Sequence, residues 1–289
     1  MEVLRGVHLR SAPAWVPILA LCSVRGWSAQ PSAAAVEAYK RAVTAIEQHE
    51  KNRSSATAQF SCPAASEHER AILVQRLPVL DSDGHPVQPD GALIHHWCGA
   101  MFIPHLRPED VIAVLQDYDH HADIYAPEVS SSKLLDKQGG RYHVLHESLI
   151  RSVITVRLRI ESVIDWSGDG QHGFASHSAS IRVSEFDHAG TQRERVRTPD
   201  QAKGWMWATN SWWHVTPKAD GASVTYETIV LTRDAPWGWG WLLRGMIERF
   251  PARTLTTMLD RTRRAATEFA NDCHYEQNHQ SPRCQQGPH

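Results

Sequence analysis

From residue 129 to residue 232 the hydrophobic period of this chain is two, and no helical stretch interrupts it. The clearest segment is 154–161, where Ile154, Val156, Leu158 and Ile160 alternate with Thr155, Arg157, Arg159 and Glu161. Successive strand residues point to opposite faces, so this segment carries one apolar row and one charged row. Residues 129–135 and 141–148 flank DKQGG, a hairpin signal. Residues 174–186 set Ala179, Ile181 and Val183 against Ser178, Ser180, Arg182 and Ser184. Residues 204–215 (GWMWATNSWWHV) and 222–232 complete the run, with Val224, Tyr226, Thr228 and Val230 sharing a face. Hairpin-linked strands with no helices between them exclude a parallel α/β sheet. A meander this long must curl, and a curled sheet has a concave face that something must cover.

The chain after residue 240 supplies the cover. Leu242, Ile247, Leu255, Met258, Leu259 and Ala266 recur at helical steps, with a break or kink expected at Pro251. The expected fold class is therefore α+β, a curved antiparallel sheet wrapped around a long C-terminal helix. Upstream, residues 93–103 (LIHHWCGAMFI) read as a strand. Pro108, Glu109 and Asp110 open a helix whose buried stripe is Val111, Ile112, Val114 and Leu115. Residues 117–125 read as a short helix or turn. An extra N-terminal helical segment lies at 33–51, with Val36, Tyr39, Val43 and Ile46 on one stripe. Residues 81–91 are rich in Gly, Pro and Asp and read as a linker.

The first residues have the layout of a secretory leader: Arg5 and Arg10, an apolar stretch from Ala12 to Val24, then small residues up to Ala29. The expected organisation is a signal peptide at 1–29, a helix and linker at 30–90, the main domain at 91–273 and a disordered tail at 274–289. The expected localisation is export, to the periplasm or outside the cell. Of five cysteines, Cys22 lies in the leader, leaving Cys62, Cys98, Cys273 and Cys284. Their spacing matches no zinc motif, and either a pairing among them or free buried thiols fits.

The order of elements, with the segments HHWCGAMFIP (95–104), VLQDYDHHADIYAPEVSSSKLL (114–135), WATNSWWHV (207–215) and YETIVLTRDAPWGWGWLL (226–243), resembles the START-like or SRPBCC superfamily. The resemblance covers roughly residues 91–270 and is nearest to bacterial members of unassigned activity. It implies the helix-grip fold and a deep apolar cavity between the sheet and the terminal helix. A lipid or polyketide-like small molecule is the partner that follows. The superfamily has no universal catalytic motif, so no catalytic residue carries over.

With 11 Trp and 18 His, the residues themselves offer candidates for such a cavity. The expected walls and lid are Trp97, Ile154, Val156, Leu158, Trp205, Trp207, Trp212, Trp213, His214, Tyr226, Trp241 and Met258. Pockets combine many apolar side chains with few polar ones, and His214 is the polar candidate among them. The cluster His95, His96, Asp117, Asp119, His120 and His121 could hold a metal or do acid/base work, but solvated or capping residues are the plainer reading. No metal or cofactor is expected. Trp237, Trp239 and Trp241 are a gate, a membrane-surface contact or plain packing at the helix start. A net charge of −2 argues against a nucleic-acid partner. Two other functions remain open, a cyclase- or hydratase-type enzyme using a cavity His or carboxylate, and an interaction module. The oligomeric state is open as well.

Overall fold

The computed structural model describes residues 30–52, 71–81, 83–87, 89–151, 155–234 and 240–277, with the side chains of 240–251 and 273–277 outside the description. Among the described residues the strands are β1 (Leu73–Arg76), β2 (Ala92–Pro104), β3 (Val129–Gln138), β4 (Arg141–Arg151), β5 (Thr155–Asp169), β6 (Gly173–Asp187), β7 (Arg195–Val196), β8 (Ala208–Lys218) and β9 (Gly221–Arg233). The helices are α1 (Ala33–Asn52), α2 (Pro108–Leu115), α3 (His121–Ile124) and α4 (Gly240–Gln277). The strands form one curved antiparallel sheet in the order β1-β2-β9-β8-β6-β5-β4-β3, with β7 paired to β6. None of the described helices is long and apolar enough to cross a membrane.

The register explains how one sheet serves two helices. On β2, Trp97, Met101 and Ile103 face α2 and α4, packing with Val111, Ile112, Leu255 and Leu259. The alternate residues Ala92 and Ile94 face the other way and pack with Trp212, Ile229 and Leu231 under Ala35, Ala38, Tyr39, Ala42 and Ile46 of α1. A strand covered on both sides needs apolar residues at both phases, and β2 is buried along nearly its whole length. Gly99 is on the α4 side. A Cβ there would lie 2.5 Å from Leu259 Cδ1 and 3.3 Å from Leu255, so the missing side chain lets the helix approach.

The segment ahead of the expected 81–91 linker joins this sheet. Residues 73–76 add an edge strand to β2, and α1 roofs the convex face. Pro251 does not break the terminal helix, which runs for 38 residues and reaches four residues into the expected tail. The stripe Leu255, Leu259, Thr262, Ala266 and Ala270 is buried against sheet and α2, and that docking outweighs the hydrogen bond lost at proline. The strand expected from residue 204 begins at Ala208. Trp205 precedes it, its N–H given to Glu185 Oε1 at 2.7 Å.

Polar contacts fix α1 in place. The Tyr39 hydroxyl donates to the Ile229 carbonyl at 3.2 Å and accepts from Asn210 Nδ2 at 2.9 Å. Asn210 Oδ1 meets His177 Nε2 at 2.8 Å, and His214 Nε2 lies 2.7 Å from Glu50 Oε2. Tyr39→Phe would strand a buried carbonyl and an amide. The expected cost is about 1–3 kcal/mol, read as a lower urea midpoint, and an unchanged midpoint would count against this anchoring.

Candidate functional site

The face of the sheet toward α4 is incompletely buried along its middle. On the central strand β9, Thr225, Glu227, Ile229 and Leu231 face α1 and are buried, whereas Tyr226, Thr228 and Val230, facing α4, keep accessible surface. At one end Leu255 and Leu259 close on Trp97, Met101 and Val224, with Val215 beneath α2. Beyond that seal the sheet offers Thr228 beside Ser211, and Ser211 beside Ser178. Ser180, opposite Ser162, continues the row. All of these lie on the face of Trp213 and Tyr226, whose rings meet at 4.4 Å between centroids. Small side chains on a curved floor leave volume above them, and hydroxyls make that floor polar.

Tyr226 sits deep in the fold, where burial raises its phenol above the ordinary range against opposing hydrogen bonds from Ser211 and Thr228. Tyr125, buried nearby, is raised by burial and then by the neighbouring Tyr226 phenol. Its hydroxyl lies 2.9 Å from Thr262 Oγ1, which donates in turn to the Met258 carbonyl at 3.0 Å. The Thr262 hydrogen is thereby spent, so Tyr125 is the donor in this pair, and α3's end is tied to α4.

Under α2 and α3 lies a second polar group. His121 Nδ1 is 3.1 Å from His146 Nε2, with Tyr118 and Tyr125 against the His121 ring. Burial pulls His121 down to about 4, and carbonyls of Val114 and Leu115 act only weakly against it. Burial, with His121 alongside, pulls His146 down to about 3. His95, also on the concave side, is lowered to about 4 by burial and then by Arg76, and it lies 3.1 Å from Thr232 Oγ1. At neutral pH all three rings are uncharged.

The site residues expected from sequence, apart from Trp205, which lies in the loop before β8, fall into three groups. Trp97, Trp213, Tyr226, Val156 and Leu158 are on the concave side, and Met258 packs there from α4. Trp207, Trp212 and His214 are a correction. They face the convex side, where Trp207 and Trp212 pack under α1 and His214 meets Glu50. Trp212 and Trp213 are neighbours on one strand, so only one of them can face inward. Ile154 lies outside the described residues, as does the side chain of Trp241. Sequence reasoning set the serines of β6 against its apolar row. The structure turns Ser176, Ser178 and Ser180 inward and Ala175, His177 and Ala179 outward. Their pairing with Trp213 and Ser211 was the missing signal. Of the expected His/Asp cluster, His96 faces outward to Glu227 at 2.6 Å and His120 sits exposed beside Asp117, so the group does not converge.

No family model matches the sequence, and no curated protein matches it. Solved structures do match. Human STARD10 superposes with a TM-score of 0.50 at 10% identity, covering 81% of this chain and 82% of its own. The fold is START-like. A STAR-related lipid transfer protein from Xanthomonas axonopodis (TM-score 0.48, 16% identity) covers 71% of this chain and 98% of its own. The Zhui aromatase/cyclase from Streptomyces sp. R1128 (TM-score 0.43, 14% identity) covers 62% and 96%. The START-like arrangement, a curved antiparallel sheet closed by a C-terminal helix, is the helix-grip architecture, and here it carries an additional convex-side helix.

Proposed function

We propose that this chain binds an apolar or amphipathic small molecule, lipid or polyketide-like, in the hollow between the sheet and α4. The observation that carries this reading is on β9, where the residues facing α4 are only partly buried while their neighbours facing α1 are buried. A packed core does not leave the covered side of a central strand open without an occupant for the space. An acid/base enzyme would need two polar groups converging on one substrate position. His121 and His146 converge on each other instead, which favours binding over catalysis. An interaction module would show a joined apolar patch. The exposed Leu80, Leu135, Ile181 and Val196 stand on separate parts of the chain.

The same reading includes export. Its supports are the leader-like layout of residues 1–29 and the disulfide-bonded state of Cys98, a bond that persists in oxidising compartments. Native mass spectrometry of the purified protein, before and after denaturing extraction, tests both parts. The expected result is a mature mass beginning near residue 30 and a small-molecule adduct released on unfolding. A full-length mass from the exporting host contradicts export, and an adduct-free protein that also ignores added apolar ligands contradicts binding.

A further inference from the structure

Among the described residues, the floor facing α4 is lined by hydroxyls and carries no unpaired charge away from its rim. The floor row Thr228, Ser211 and Ser178, with Thr209, Ser180 and the phenol of Tyr226, is far richer in oxygen than a cavity for a hydrocarbon chain requires. Among the described floor residues the carboxylates are Asp187, at the end of β6 and paired with Arg195 and Arg197, and Glu185, which is also occupied. Its two oxygens accept the backbone N–H groups of Lys203 at 2.6 Å and Trp205 at 2.7 Å. Arg76 and Lys137 lie on the edge strands of that side and are exposed at the rim. On the convex face Arg157, Arg159, Glu161 and Arg182 of β5 and β6 pair with one another or with Glu147 and Glu194.

Counting donors narrows the chemistry. Ser180 Oγ accepts the Thr209 N–H at 2.9 Å, which leaves its own hydrogen to give. Thr228 Oγ1 donates to the Asn210 carbonyl at 3.2 Å, so its hydrogen is used. Ser178 makes no hydrogen bond among the described residues. Trp97, opposite Thr228 on the concave side and 8% exposed, has its indole N–H buried with no partner among the described residues. A buried N–H with no acceptor is rare in folded proteins and calls for an oxygen from elsewhere.

We infer that the hollow takes an uncharged, oxygen-rich molecule on an apolar or aromatic frame, and that it discriminates against anionic lipids. This rests on the binding function proposed above. A carboxylate or phosphate brought onto this floor would lose its hydration and meet no unpaired cation among the described floor residues, a cost that hydroxyls alone do not offset. A ligand with a single hydroxyl would leave several wall donors unmatched, whereas one with several carbonyl or phenolic oxygens satisfies them. Trp213 and Tyr226 at the end of the floor supply flat surfaces for an aromatic frame.

Isothermal titration calorimetry at pH 7 with three probes separates the alternatives: resveratrol (neutral, three hydroxyls), dodecan-1-ol (neutral, one hydroxyl) and laurate (anionic, matched in length). The expected order is resveratrol, then dodecanol, then laurate, with at least about tenfold between first and last. Ser178→Ala and Ser180→Ala, each checked for an unchanged denaturation midpoint, are expected to weaken resveratrol roughly five- to tenfold and leave dodecanol unaffected. Laurate binding as tightly as resveratrol, or serine variants that bind resveratrol as the parent does, overturns this inference while the binding function stands. Failure of all three probes to bind overturns the binding function itself.

Discussion

Lowering the pH from 7 to 4.5 should cost this protein about 3–5 kcal/mol of stability, most of it lost before half of its aspartates are protonated. The groups responsible are His121 and His146, drawn by burial to about 4 and about 3 from an ordinary value of 6.5. Below 6.5 the unfolded chain takes up protons on these rings and the folded chain does not. Stability therefore falls as pH falls through that window, and the loss levels off only when the folded rings themselves titrate. His95, lowered to about 4, acts in the same direction. His120 acts in the opposite direction, because Asp117 raises it, but it is exposed and its effect is screened. Urea denaturation at pH 7.0 and 4.5 reads the difference. The double variant His121→Phe/His146→Leu replaces both partners with apolar groups and should flatten most of the pH dependence. A parent midpoint that does not move between the two pH values would contradict the buried, neutral state of the pair.

Gly99→Val should cost about 3 kcal/mol and loosen the terminal helix. The new Cβ would overlap Leu259 Cδ1, and its branches would press on Leu255. Both leucines are tips of flexible side chains, which ordinarily makes such an overlap cheap. Here Leu259 is 0% exposed and Leu255 4%, so neither has free space to turn into and the helix itself must move. Gly99→Ala should be milder, because the smaller clash is partly offset by a stiffer unfolded chain. The diagnostic partner is Leu259→Ala. It removes the clashing methyl, so the double variant should be less destabilised than the sum of the two singles, a coupling readable in a double-mutant cycle. Additive effects would mean that α4 does not rest on Gly99.

The framework of this START-like fold was legible because periodicity reports it directly. The row Val156, Leu158 and Ile160 does face inward, and Leu255, Leu259 and Ala266 do form the docking stripe. The face of the later strands was not legible, for a physical reason. β2, β8 and β9 are covered on both sides, so apolar and aromatic residues occur at both phases and alternation carries little information. Trp212 and Trp213 show the difficulty, since each packs toward a different helix. His214 followed Trp212 to the convex face, where Glu50 of α1 awaits it. The amphipathic stripe of α1 was visible in the sequence, but nothing local states which surface receives it. The hydroxyl floor was missed because Ser opposite Ala looks like a solvated row. Only pairing with Trp213 and Ser211 shows that Ser176 and Ser178 point inward.

The central claim is that the space above Ser211, between the sheet and α4, is a ligand cavity. Nile red is neutral and apolar, and its fluorescence rises on leaving water, so it reports such a space without adding charge. Titrated into the parent protein at neutral pH, it should bind saturably at one site per chain. Ser211→Trp places a large ring in the middle of the floor and should weaken that binding by about a hundredfold or more, while the urea midpoint stays close to the parent value. Equal Nile red affinity in a folded Ser211→Trp variant would contradict the account, because the dye would then be binding somewhere other than this hollow.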